Sequence, residues 1–220
     1  MLYFVFTLGL SGCTLFAFLM AYFVAITFSI VAHEFSHAFV AYKFGDPTPK
    51  LFKRLSFNPI NHFDMLGILS FLLVGFGWAK PVPVNPLNFR NYNRGRRWVS
   101  LAGILTNFVL AIFFSAFYFF FSAKLLVGGN LFFEFLGYLF MLGTIINLSL
   151  MIFNLIPIYP LDGFNFIITF MKPDNKFIQF MRKYGSIILI ILIITPLFDI
   201  LYKYVIDGLR YVLFLFWGLF

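Results

Sequence analysis

Long apolar runs separated by short polar stretches dominate this chain. The first run reads as one helix over residues 13–44, about 48 Å at 1.5 Å per residue and longer than a hydrocarbon core of about 30 Å. Gly45-Asp46-Pro47 ends it. Further spans are predicted over 98–123, over 131–153 and over 186–202, the last kinked by Pro196. The run over 65–78 is too short to cross and predicts a re-entrant loop or strand pair at the membrane face. Lys80-Pro81-Val82-Pro83-Val84-Asn85-Pro86 cannot be helical throughout, because its prolines lack amide donors and push their predecessors to extended geometry.

The third span breaks over residues 154–163, where Pro157 and Pro160 prevent regular helix. Unwound backbone at membrane depth is tolerated where it lines protein or a water-filled cavity. Residues 1–12, interrupted by Gly9, Ser11 and Gly12, leave a half-span, an extended edge or a helix start open. The aromatic tail 209–220 either lies in the interface or returns partway. The expectation is an all-α polytopic membrane protein of about four transmembrane helices with a short membrane-embedded re-entrant or β segment. It forms one domain over residues 1–220, with its core at 13–171, its re-entrant and Pro-rich loop at 65–86 and its C-terminal span at 186–220.

Composition supports this class. Hydrophobic residues make up 62% of 220 positions and charged residues 11%, against about a quarter charged in soluble domains. The net charge of +8 does not imply a nucleic-acid partner, since the basic residues cluster. Positions 43–97 hold nine of them, from Lys43 to Arg97, and Lys172, Lys176, Arg182 and Lys183 form a second group. The positive-inside rule places 45–97 and 172–185 on the cytoplasmic side of the cell membrane and 124–130 outside. The single cysteine, Cys13, lies in an apolar run and is read as a packing residue. The first residues lack the basic region of a secretory leader, so they are read as part of the mature chain.

Chemistry concentrates in His33-Glu34-Phe35-Ser36-His37, which lies within an apolar run where ionisable groups are costly and mark functional sites. On a helix, His33 and His37 fall one turn apart on the same face and can reach one ion. Glu34 projects from a neighbouring face toward a water on that ion, the pattern of metal-dependent hydrolases. A chance meeting of two histidines and a glutamate is the alternative. Zinc held by two histidines needs a third protein ligand if its fourth position is to stay open. Among eight acidic residues, Asp162 is the strongest choice, because the third span descends to the half of the membrane that holds His33 and His37. A Pro-x-Asp-Gly turn or helix cap is its other reading. Asp64, two residues after His62, is the reserve ligand, with a solvated loop as its alternative role.

The His33–His37 motif followed by Asn154-x-x-Pro157-x-x-Pro160-Leu161-Asp162-Gly163 resembles the site-2 protease family of intramembrane zinc metalloproteases. The match is to its compact prokaryotic members. Gly75-Phe76-Gly77-Trp78-Ala79-Lys80-Pro81 and His62-Phe63-Asp64 extend the resemblance over most of residues 30–165. It implies one Zn2+ held by His33, His37 and Asp162, Glu34 as catalytic base and Asn154 as a polar group near the scissile carbonyl. It also suggests single-pass membrane proteins, already trimmed by another protease, as substrates. One departure is Ala102-Gly103-Ile104-Leu105-Thr106-Asn107, where the family pattern carries a proline at the position of Ile104. No inserted PDZ-like or appended nucleotide-sensing domain is expected.

The chemistry so implied is hydrolysis of peptide bonds within a transmembrane segment. Glu34 would take a proton from the attacking water and return it to the leaving amine. A helical substrate must unwind first, and residues 65–86 are expected to receive it by strand addition. Two other classes compete. A metal transporter needs a polar path through both membrane halves, and the external halves of the spans offer little beyond hydroxyls. An inactive metal-binding scaffold needs no Glu34 and prefers four protein ligands.

Overall fold

In the computed structural model, residues 10–64, 67, 79–127 and 130–219 are described. Four helices are long and apolar enough to cross a bilayer, and the chain is an all-α polytopic membrane protein. They are α1 (Gly12–Lys43), α3 (Tyr92–Val127), α4 (Leu131–Leu155) and α6 (Lys176–Ile194). Between and after them come α2 (Thr48–Leu51), α5 (Asp162–Ile167) and α7 (Pro196–Trp217), with single 3-10 turns at Pro59–Asn61, Pro86–Asn88 and Ile168–Phe170.

The core is the packing of α1, α3 and α4. On α1, Ala17, Ala21, Ala25 and Ser29 recur every four residues and are buried. Their small side chains let α4 approach closely, which is how helices associate in lipid, where burial of apolar surface alone gives little preference. Phe18, Leu142 and Ile146 fill the seam, and Phe18 meets Tyr138 edge-on at 5.3 Å between ring centroids. Phe16, Phe23, Val24 and Phe28 of α1 face outward instead. Across the core, Ile104 and Ala111 of α3 pack on Leu148 and Met151 of α4, and Ile206 of α7 closes this cluster. A third cluster joins Phe164, Ile168 and Ile178, tying α5 and the following turn to α6.

Several boundaries differ from the sequence expectation. The second span starts at Tyr92 rather than 98, because the Asn91 side chain accepts the Arg94 amide at 3.0 Å and begins the helix within the basic stretch. Arg96 then lies over the Tyr92 ring at 5.3 Å, so the cationic turn is helical rather than looped. At the position where the family pattern has a proline, α3 runs unbroken through Ile104. The last run, expected as one kinked span over 186–202, is two helices. Pro196 offers no amide to continue α6 and holds Thr195 in an extended conformation (ψ 131°), so α6 ends at Ile194 and α7 begins anew. Much of the aromatic tail at 209–220, expected to lie in the interface or return partway, belongs to α7, which runs to Trp217.

The expected re-entrant segment at 65–78 lies outside the described residues apart from Gly67, and so do residues 1–9 of the first stretch, 1–12, for which three readings were open. At the base of the former, Phe63 and Ala79 form an isolated antiparallel bridge, and the Lys80 amide donates to the His62 carbonyl at 2.8 Å. Among the described residues this bridge is the extent of β structure.

Candidate metal centre

His33 and His37 are where the spacing requires, one turn apart on the inner face of α1, both buried. Their Nε2 atoms are 3.1 Å apart. Asp162, 125 residues further along (162 − 37), is the first residue of α5 and brings Oδ2 to 3.3 Å from His33 Nε2 and 3.1 Å from His37 Nε2.

Two glycines make this approach possible. A Cβ at Gly163 would fall 2.6 Å from the Leu155 carbonyl carbon and 2.8 Å from the Ile156 oxygen. The unwound stretch after α4 can therefore fold back directly onto the start of α5, which aims Asp162 into the bundle. Gly103 of α3 lies as closely against the His33 ring and lets α3 and α1 meet there.

The remaining contacts orient the ring of His37. Its Nδ1 lies 2.7 Å from the Val99 carbonyl oxygen, which can only accept, so Nδ1 carries the hydrogen and Nε2 presents a lone pair. Asp162 Oδ2, buried and facing both imidazoles, has no hydrogen-bond donor. An electron pair on His37 Nε2 and an unsatisfied carboxylate oxygen at 3.1 Å repel unless something positive lies between them. Two imidazoles and a carboxylate form the three-ligand set of a catalytic zinc site with an open fourth position. The residues present thus fit the metal. Among the described residues, this trio alone groups three such donors within 4.8 Å of one another.

The trio lines a cavity of about 450 Å3 with Glu34, Asn154, Asn165 and Ser100 on its walls. The Glu34 carboxylate accepts the Val82 amide at 3.2 Å, so the Pro-rich stretch holds it from the opposite side. That stretch is in turn fastened by Asp46, which is fully buried just past α1. Its Oδ1 accepts from the Thr48 amide (3.1 Å), the Thr48 hydroxyl (2.6 Å) and the Asn88 side chain (2.7 Å), and its Oδ2 from the Asn85 amide (2.7 Å). Burial pushes the Asp46 carboxyl up, but these hydrogen bonds outweigh it and hold the group below its ordinary value. Asn154 reaches the cavity from the last turn of α4, with one amide hydrogen given to the Leu150 carbonyl at 2.9 Å.

Comparison with known proteins gives this arrangement its context. A protein of Bacillus subtilis (strain 168) named "Putative zinc metalloprotease YwhC" is 40% identical over 187 residues, covering 81% of this chain and 83% of the relative. The chain belongs to the compact, site-2 protease-like family of zinc metalloproteases. A Mycolicibacterium smegmatis (strain ATCC 700084 / mc(2)155) relative named "Putative zinc metalloprotease Rip2" is 28% identical over 176 residues, 76% of this chain and 64%, under two thirds, of that protein. No family model matches, and no solved structure matches.

Within this metalloprotease, the structure separates the two candidate third ligands. Asp64 lies outside the histidine cluster and accepts the Gly67 amide at 3.0 Å, a local turn contact. His62 is fully buried and donates from Nε2 to the Ser56 carbonyl at 2.7 Å, bracing the loop beside Arg54, whose guanidinium reaches the Asn61 and Lys80 carbonyls. Two contributors escaped the sequence reading, the Val99 carbonyl and the Val82 amide. Both act through backbone atoms and leave no trace in side-chain identity.

Proposed function

We propose that this chain is an intramembrane zinc metalloendopeptidase that hydrolyses peptide bonds within transmembrane segments of single-pass membrane proteins. The observation that carries this reading is the convergence of His33 Nε2, His37 Nε2 and Asp162 Oδ2 on one cavity whose wall also holds Glu34. A structural metal site has no use for a carboxylate that is not a ligand. A zinc ion held by the trio supplies Lewis acidity and a nucleophilic water near neutral pH. Glu34, held by the Val82 amide, takes the proton from the attacking water and delivers it to the leaving amine. Asn154 keeps one amide hydrogen free for the carbonyl under attack.

The cavity opens toward the cytoplasm of a multi-pass protein in the cell membrane. The support is Lys43, six residues beyond His37, together with Arg96 and Arg182 on the cavity lining. Val82 and Val84 line the same cavity, and their stretch receives the unwound substrate by strand addition.

The test uses purified protein in lipid vesicles with a panel of single-pass proteins shortened to their membrane segments, comparing wild type with Glu34→Gln. The expected result is one zinc per chain in both and cleavage lowered at least a hundredfold in the variant. Zinc retained together with undiminished cleavage would remove Glu34 from the mechanism. Wild-type protein without zinc would remove the reading itself.

A further inference from the structure

Three polar residues lie in the core of the bundle, off the cavity lining, and the metal trio does not include them. They are Ser29 of α1, Asn107 of α3 and Asn147 of α4, all fully buried. They form a series that ends on a metal-site histidine. Asn147 Nδ2 is 2.8 Å from the Gly143 carbonyl and 2.8 Å from Ser29 Oγ. Asn147 Oδ1 is 2.9 Å from Asn107 Nδ2, and Asn107 Oδ1 is 2.6 Å from His33 Nδ1.

Taken singly, each link is ambiguous, because an amide can be turned end for end and a neutral imidazole can carry its hydrogen on either nitrogen. Taken together, the links have one solution. The Gly143 carbonyl only accepts, so the Asn147 atom facing it is the amide nitrogen. The other end of Asn147 is therefore oxygen, and the Asn107 atom facing that oxygen must be nitrogen. Asn107 then presents its oxygen to His33, whose Nδ1 must carry the hydrogen. Ser29 agrees with this direction, since its hydroxyl donates to the Ala25 carbonyl at 2.7 Å and its oxygen stays free to accept from Asn147. His33 is left with the electron pair of Nε2 facing Asp162. His37 reaches the same tautomer directly through the Val99 carbonyl.

We infer that Asn147 and Asn107 are positioning residues that set the tautomer of His33 from a backbone carbonyl on another helix, two side chains away. Ser29 is an accessory partner, because the Gly143 carbonyl fixes the direction without it. This inference rests on the zinc reading of the site and deepens it. The series does more than glue helices. Polar glue between spans works in either direction, whereas here reversal would turn the Asn147 oxygen onto the Gly143 carbonyl and place the hydrogen of His33 on the nitrogen that faces the metal position.

The experiment reads the tautomer without metal. Metal-free protein labelled with 15N-histidine is taken up in detergent micelles at alkaline pH, where no proton takes the metal's place between the imidazoles and Asp162, and nitrogen spectra with the His33 signals assigned through His33→Gln distinguish protonated from bare ring nitrogens. Wild type shows hydrogen on Nδ1. Asn147→Leu releases Asn107 and gives a mixture of tautomers, with zinc affinity lowered at least tenfold. Asn147→Asp restores the wild-type spectrum, since a buried neutral carboxyl donates its hydroxyl to Gly143 and accepts from Asn107. Ser29→Ala leaves the tautomer unchanged. Should Asn147→Leu fail to fold, Asn107→Leu takes its place and gives the same mixture. A wild-type tautomer in both leucine variants, or identical behaviour of Asn147→Leu and Asn147→Asp, overturns the inference. Absence of zinc from wild type would overturn the metal reading alone, because the tautomer is read without it.

Discussion

Gly103 lies flush against the imidazole of His33: a Cβ at this position would fall 2.5 Å from Nδ1 and 2.6 Å from Nε2. Such distances are well inside contact, so any side chain here moves the ring or parts α1 from α3. Gly103→Ala is expected to lower zinc affinity more than tenfold and to cost about 1–3 kcal/mol in stability. Gly208 of α7 is the control, since a Cβ there meets nothing within 4 Å. Gly208→Ala should retain zinc and be as stable as wild type or more stable by about 0.5–1 kcal/mol. Metal titration and thermal unfolding in detergent check both.

Metal content per chain distinguishes the two aspartates. Asp162→Ala is expected to lose the zinc that purifies with wild type, because it removes the only carboxylate within reach of both histidines among the described residues. Asp64→Ala should keep it, since that carboxylate serves a turn with Gly67. Metal retained in Asp162→Ala would break the assignment.

Val82→Pro removes the amide that holds the Glu34 carboxylate. Zinc content should be unchanged, while turnover falls about tenfold or more as Glu34 loses its orientation. Val82→Ala keeps the amide and should behave as wild type within twofold. Parallel zinc and rate measurements test this, and equal rates in the two variants would refute the role of the amide.

Asp46 makes part of the stability pH-dependent. Its folded carboxyl is held below its ordinary value of 3.8, so its contribution is fully present above that value and is lost as pH falls through the lower folded value. Asp46→Ala should unfold more easily at neutral pH by on the order of 3 kcal/mol, as Thr48, Asn85 and Asn88 lose their acceptor. Its stability should also show less acid sensitivity than wild type below 3.8. Denaturant titrations of both proteins between neutral pH and the acid range decide the point.

What could be read from sequence followed physical necessity. His33, Glu34 and His37 stood out because four-residue spacing on a helix fixes a common face and because charge is rare in an apolar run. Asp162 emerged from the scarcity of acids near the right membrane depth. The start of α3 was misjudged because Arg94, Arg96 and Arg97 read as loop, although the asparagine before them begins a helix. Pro196 reads as a kink within one span, whereas the chain breaks there into two helices, and the difference lies in the extended backbone of Thr195, which the sequence does not display. Asn107 and Asn147 are polar residues within spans, but their order in a directed series depends on three helices coming together.

With Asp162 as the proposed third ligand, metal binding is tied to the assembly of the chain in the bilayer. The histidines belong to the first described span, whereas the carboxylate follows the third and reaches them through a fold-back that only the finished bundle supports. Before α4 has packed, a nascent chain offers two imidazoles without the carboxylate that completes the set, a weak trap for a divalent cation. Tight binding thus belongs to the complete fold, and by mass action the ion favours that fold by about 4 kcal/mol at a thousandfold excess over its dissociation constant. Cells short of zinc would accumulate bundles that part more readily, making metal supply a control on how long the protein survives as well as on whether it works.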